Sequence, residues 1–198
     1  MNSTATRSTL TRLMTAAIVA LALGAGTAAH AAVVSYLAFL DGASESPSVS
    51  TPGIGTAQVD VDAVAHTMRV RASFTGLLGT TTASHIHAAT AVAGAGTAGV
   101  ATTTPSFAGF PLGVTSGTYD ITLDMTLASS YNPSFVTAHG GTTAGAEAFL
   151  FQAIADGKAY YNIHSTFAGG GEIRGFLLPF NPTSTDATTW GRLKQLYR

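Results

Sequence analysis

The sequence contains no cysteine, and only 10% of its 198 residues are charged. Without thiols, the chain has no disulfide, no cysteine-ligated zinc, no thiol nucleophile and no lipid-modified cysteine. A charged fraction this far below the usual quarter means that the surface is built from Thr, Ser, Gly and Asn. Such a surface is common in exported all-β proteins.

Basic residues and long apolar runs are also scarce. Nine Lys and Arg stand against ten Asp and Glu, and the basic residues form no cluster. A chain without a basic patch cannot neutralise a run of phosphates, so a nucleic-acid partner is excluded. The apolar run at residues 13–23 is too short to span a bilayer comfortably.

That short run belongs to a predicted secretory signal peptide, residues 1–31. Arg7 and Arg12 precede the run, and Ala29-His30-Ala31 places small residues at the positions that determine cleavage. We therefore expect a mature chain that begins near Ala32. It should be secreted, periplasmic or held at the cell surface, with no transmembrane anchor after processing.

From residue 33 onward, apolar residues mostly follow a period of two, which predicts β-strands. One segment, residues 146–154, shows helical spacing, with Thr142 or Thr143 as its N-cap and Gly157 as its stop. Many short strands separated by turns predict an all-β fold, a Greek-key-like antiparallel β-sandwich with one short helix before the last two strands. The predicted domain covers residues 32–178, and residues 179–198 form a C-terminal tail.

Three motifs occur in order along the predicted strands. They are Ser84-His85-Ile86-His87 followed by a Gly-rich loop, Tyr160-Tyr161-Asn162-Ile163-His164, and Gly170-Gly171-Glu172-Ile173-Arg174-Gly175. Together with the earlier segment at residues 40–45, they resemble the CHRD (chordin-type) domain in its single-domain exported bacterial form, over about residues 34–178. The resemblance implies a β-sandwich module of secreted and cell-surface proteins, with no settled enzymatic activity.

The motif strands also predict a cluster of polar side chains. Ile86, Ile163 and Ile173 are the expected core contacts, and their neighbours must point to the opposite face because strand side chains alternate. A hairpin with residues 165–171 as its loop keeps those faces matched if His164 lies opposite Glu172 and Asn162 lies opposite Arg174. The side chains predicted to share the polar face are His85, His87, Asn162, His164, Glu172 and Arg174.

Three histidines of this face form a candidate metal site. His85 and His87, two positions apart on one strand, can bind a copper or zinc ion together with His164 from a neighbouring strand. Copper-zinc superoxide dismutases use a similar strand pair, but this chain lacks their cysteine pair and shows no evident zinc-loop histidines. The alternative is a polar sheet face in which Glu172 and Arg174 form a cross-strand ion pair.

The sequence thus leaves two functions open. The first is an exported, non-catalytic module of the extracellular matrix or cell surface that binds an extracellular protein, a glycan or a metal ion. The second is a copper- or zinc-binding protein, with superoxide-dismutase-like redox chemistry at His85, His87 and His164. No catalytic residue and no organic cofactor are predicted, and the metal content of the purified protein would separate the two functions.

Overall fold

The computed structural model describes residues 33–180. Its elements in chain order are β1 (Val34–Asp41), β2 (Ile54–Asp62), β3 (Thr67–Thr75), β4 (Thr81–His87), β5 (Gly117–Asp124), a 3-10 turn (Ala128–Ser130), α1 (Pro133–Ala138), α2 (Thr143–Ala155), β6 (Tyr160–Ser165), β7 (Ile173–Phe176) and β8 (Leu178–Pro179). The predicted signal peptide and the tail from residue 181 onward lie outside the described residues. Within residues 33–180, no helix is both long and apolar enough to cross a membrane.

The strands form one continuous antiparallel sheet that curls into half a barrel. The order across it is β4-β6-β7-β1-β2-β3-β5, and β8 pairs with β1. The predicted all-β antiparallel fold with a short helix before the last strands is confirmed. The first and third motif strands, β4 and β7, flank the second, β6, so the fold brings all three motifs together.

The core lies on one face of this sheet. Burial alternates along strand β3: Met68, Val70 and Phe74 point into the core and are buried, whereas Arg69 points to the other face and is exposed. Helix α2 covers part of the same core with Leu150 and other apolar residues. Each large side chain that is fully buried contributes roughly 1.5–3 kcal/mol of hydrophobic free energy, so this face holds the sheet in its curled form.

Both α-helices begin at capped positions. The side chain of Thr142 accepts a hydrogen bond from Gly145 N at 3.1 Å, as expected of the predicted N-cap of α2. Helix α1 was not predicted, although its signal is present in the sequence. Asn132 caps it by accepting from Ser134 N at 3.0 Å, and Pro133 takes the first helical position, where its missing N–H costs nothing.

Strand β4 is at the edge of the sheet, and residues 98–107 lie along its outer side. The backbone N–H of Ala101 donates to Ile86 O at 2.9 Å, and that of Phe107 donates to Ser84 O at 3.2 Å. This segment therefore covers the edge of β4. It also brings several backbone carbonyls next to the side chains of β4.

Candidate metal centre

The pairing of β4 with β6 brings the three candidate histidines together. His85 lies opposite Asn162 and His87 lies opposite Tyr160, so these side chains and that of His164 share one face of the sheet. One ring nitrogen of each histidine lies within 4.8 Å of the other two. His85 and His87 are buried and His164 is half-buried, so the cluster is largely enclosed.

Backbone carbonyls determine which nitrogen of each imidazole carries the proton. Each histidine has one ring nitrogen within 3.0 Å of a carbonyl oxygen, and because a carbonyl only accepts, that nitrogen must be the N–H donor. The three hydrogen bonds are His85 Nε2 to Pro105 O (2.7 Å), His87 Nδ1 to Ala98 O (2.9 Å) and His164 Nδ1 to Gly169 O (3.0 Å). In a neutral imidazole, the other nitrogen then carries a lone pair.

These lone pairs face one another. His85 Nδ1 lies 3.3 Å from His164 Nε2, and His87 Nε2 is buried without a hydrogen-bond partner among the described residues. Two lone pairs at that distance repel unless a proton or a metal ion lies between them. Two nitrogens that each bind one ion at about 2.0–2.1 Å lie roughly 3.3–3.4 Å apart at a tetrahedral angle, so the spacing fits a shared ion.

Burial keeps the imidazoles in the neutral form that metals require. It lowers the pKa of His87 to about 4, even though the hydrogen bond to Ala98 acts in the opposite direction. Burial also lowers the pKa of His85 and of His164, again against the effect of their carbonyl partners. The cluster is therefore uncharged at neutral pH.

Tyr160 lies between His87 and Arg174. The rings of His87 and Tyr160 are parallel within 5°, with centroids 4.8 Å apart, and the guanidinium carbon of Arg174 is 4.7 Å from the centroid of the Tyr160 ring. The Tyr160 hydroxyl contacts the N–H and the carbonyl of Ala98 at 3.3 Å, and the same carbonyl accepts from His87. Sequence reasoning gave Tyr160 no role, but strand alternation was an available signal, because it puts Tyr160 on the same face as Asn162 and His164.

Arg174 pairs with Glu45, and not with Glu172 as the alternative of a polar sheet face assumed. The predicted pairing of Arg174 with Asn162 across β6 and β7 is present. Arg174 Nε donates to Ser44 O and lies 3.7 Å from Glu45 Oε2, and both side chains are buried. Burial raises the pKa of Glu45 to about 7, although the positive charge of Arg174 acts to lower it.

Glu172 also lies apart from the histidines, contrary to the prediction. Gly171 adopts a φ of +129°, and β7 begins only at Ile173, so strand alternation does not extend back to residue 172. The buried carboxylate of Glu172 instead accepts hydrogen bonds from Thr51 Oγ1 (2.6 Å), Leu78 N (2.6 Å), Gly79 N (3.1 Å) and Ser165 Oγ. It joins three separate segments of the chain.

The remaining histidines of the described region belong to other contacts. His66 Nδ1 lies 2.9 Å from the Glu147 carboxylate, and His139 stacks on Phe149 with ring centroids 3.7 Å apart. Neither is part of the three-histidine cluster.

The fold and this cluster define a cysteine-free, all-β domain with a candidate metal centre between two neighbouring strands. A comparison with protein families matches the CHRD domain over residues 36–177, which is most of the chain. The protein belongs to the CHRD domain family. Searches of curated proteins and of solved structures gave no match.

Proposed function

We propose that this domain binds one copper or zinc ion through His85 Nδ1, His87 Nε2 and His164 Nε2. The observation that supports the proposal is the convergence of three nitrogen lone pairs whose opposite ring nitrogens all donate to backbone carbonyls. Outer hydrogen bonds of this kind fix the tautomer and the orientation of histidine ligands in metal sites. The cluster thus has the donors and the supporting contacts of a metal centre.

A purely structural polar cluster explains these contacts less well. In such a cluster each buried polar atom finds a partner of the opposite kind, because an unpaired one destabilises the fold. His87 Nε2 has no partner among residues 33–180, and His85 Nδ1 faces another acceptor. A bound cation would satisfy all three nitrogens at once.

The ligand type indicates which metals fit. Neutral imidazoles suit copper and zinc, whereas calcium and magnesium prefer oxygen ligands. Three protein ligands also leave a further position for water or for a group of a binding partner.

We further propose that the domain acts outside the cytoplasm as a binding module without catalysis. The signal-peptide pattern of residues 1–31 and the absence of cysteine support export, and an extracellular protein or glycan would be the second ligand. Mass spectrometry of exported material should find a chain that begins at Ala32 or within one or two residues of it. An intact Met1 in that material would contradict export.

Metal titration tests the proposed site. The full chain, stripped with a chelator, is titrated with Zn²⁺ and with Cu²⁺ in a calorimeter, and one ion should bind per chain. His87→Ala and His164→Ala should each weaken binding by at least about tenfold, while His139→Ala, which lies outside the cluster, should bind as the wild type does. Equally weak binding by all four proteins would show that the cluster holds no metal.

A further inference from the structure

A cavity of about 550 Å³ lies between helix α2 and the paired strands β1 and β2, and it shares no lining residue with the three-histidine cluster. Its volume is within the range of roughly 300–1,000 Å³ that is typical of small-molecule sites. The apolar side chains of its wall include Val34, Val61, Ala144, Ala148 and Phe151. Ala144 and Ala148 are exposed, so small side chains leave the cavity open to solvent and accessible to a small molecule.

One carboxylate lies in this apolar wall. Glu147 lines the cavity, and its side chain is only 9% exposed. Among the described residues it accepts a hydrogen bond from His66 alone, whose Nδ1 lies 2.9 Å from each carboxylate oxygen. A carboxylate has about four acceptor positions. Most of the hydrogen-bonding capacity of Glu147 is therefore not used by residues 33–180.

Glu172 shows how the same fold treats a carboxylate with a purely structural role. Glu172 is fully buried and accepts from four donors, two side-chain hydroxyls and two backbone N–H groups. Glu147 is nearly as deeply buried but has one donor in the described region. Because burial of a charge destabilises a fold unless the charge is paired and hydrogen-bonded, a ligand with N–H groups would complete the environment of Glu147.

The other lining residues favour a positively charged ligand. No Lys or Arg within residues 33–180 lines the cavity, and the one histidine that does, His66, is half-exposed. The rings of Tyr36 and Phe151 are also in the wall, and aromatic faces attract ammonium groups. An ammonium group would thus pair with the carboxylate of Glu147, while an apolar body filled the rest of the cavity.

We propose that this cavity binds a small organic cation, a primary amine with an aromatic or apolar body, whose ammonium group donates to Glu147. The cavity is a second binding site, made by residues other than those of the candidate metal centre. The proposal therefore goes beyond metal binding and does not depend on it.

Three related probes test the preference for a cation. The full chain is titrated with 2-phenylethylamine, 2-phenylethanol and 3-phenylpropionate, and binding is followed by NMR. The titrations are made at pH 8, at which a free imidazole is neutral and an alkylammonium is charged. We expect saturable binding of one amine per chain, at least about tenfold tighter than that of the alcohol or the carboxylate, because a hydrogen bond between two charged groups is lost in both analogues.

Two variants locate the site. Glu147→Gln keeps the shape of the side chain and removes its charge, so the advantage of the amine over the alcohol should fall by about tenfold. Ala148→Phe fills the cavity from an exposed helix position and should abolish binding of the amine. The matched controls are Asp120→Asn on β5 and Ala155→Phe at the end of α2, since neither residue lines the cavity.

Several results would overturn the proposal. They are no saturable binding of the amine, equal affinities for the amine and the alcohol, and an unchanged preference for the amine in Glu147→Gln. Undiminished binding by Ala148→Phe would place the amine elsewhere and would overturn it too. If Glu147→Gln does not fold, the preference of the wild type and its loss in Ala148→Phe decide the question. Titration with metal ions tests a different site, so either proposal can fail alone.

Discussion

The imidazole of His87 lies parallel to the phenol ring of Tyr160, with ring centroids 4.8 Å apart and planes inclined by 5°. Both side chains also contact the backbone of Ala98. His87 is thus held by a ring on one side and a carbonyl at its Nδ1, and its Nε2 is left to face the cluster. A ligand held in this way loses little freedom when it binds an ion, so the site is preorganised.

Metal affinity should stay nearly constant as pH falls to 6.5 and should decline only below that value. Protons compete with metal for the same nitrogens, but burial lowers the pKa of His87 to about 4 and lowers those of His85 and His164 from the ordinary value near 6.5. Titrations with Zn²⁺ between pH 7.5 and 5 measure the midpoint. A midpoint at or above 6.5 would show that the imidazoles are exposed in solution.

Replacing Glu172 should destabilise the fold strongly at neutral pH. Glu172→Gln keeps the shape but places an amide among four donors, and we expect a loss of about 2–4 kcal/mol in urea unfolding. The control Asp156→Asn, at an exposed carboxylate, should cost far less.

The effect of Glu172 should also depend on pH. Burial alone would raise its pKa, but the hydrogen bonds from Ser165, Thr51, Leu78 and Gly79 lower it below the usual value. A lowered pKa in the folded state means that the carboxylate stabilises the fold above pH 4.3 or so, and that this contribution disappears as pH falls through the folded-state pKa. The difference between wild type and Glu172→Gln should therefore shrink in acid, and a difference independent of pH would contradict this role.

Gly171→Ala should be far more damaging than Gly170→Ala. Residue 171 has a φ of +129°, and a Cβ there would lie 2.5 Å from the Asn162 amide and 2.6 Å from Glu45 Oε1. Backbone strain and steric overlap together should lower the free energy of unfolding of Gly171→Ala by about 2–3 kcal/mol. At Gly170 a Cβ meets nothing within 4 Å, so the expected change is within about 0.5 kcal/mol. Equal thermal unfolding of the two variants would contradict the close packing at residue 171.

Replacing a core isoleucine of the sheet should destabilise the fold much more than replacing a surface isoleucine. Ile86 and Ile163 are fully buried, so replacement by Ala should cost about 2–5 kcal/mol each. Ile54 is 58% exposed, and Ile54→Ala should cost less than about 1 kcal/mol. Urea unfolding measures all three variants. Small losses at Ile86 and Ile163 would mean that the two faces of the sheet are inverted.

The sequence was sufficient to predict the cluster itself because strand alternation is a local rule. His85 and His87 are two residues apart, and Asn162 lies opposite Arg174 as the hairpin predicted. The same rule failed at Glu172, because it assumes extended backbone and Gly171 breaks that backbone at the start of the strand.

The surroundings of the cluster could not be predicted from local patterns. The predicted polar face is largely buried, because residues 98–107 and the hairpin loop after His164 lie against it and supply the carbonyls of Ala98, Pro105 and Gly169. Backbone carbonyls leave no trace in residue identity, so no motif predicts them. Glu45 is likewise 129 residues away from Arg174, and only the register of β1 against β7 brings them together.

The position of residues 98–107 along the edge of β4 should also affect whether the protein aggregates at high concentration. An uncovered edge strand offers unpaired N–H and C=O groups to other chains, which is how sheets grow into aggregates. In this domain, the segment that covers the edge of β4 also supplies the carbonyls that orient His85 and His87. Disruption of the histidine cluster that frees this segment would therefore also expose an unpaired strand edge, so the geometry of the candidate site and the resistance of the protein to aggregation depend on the same ten residues.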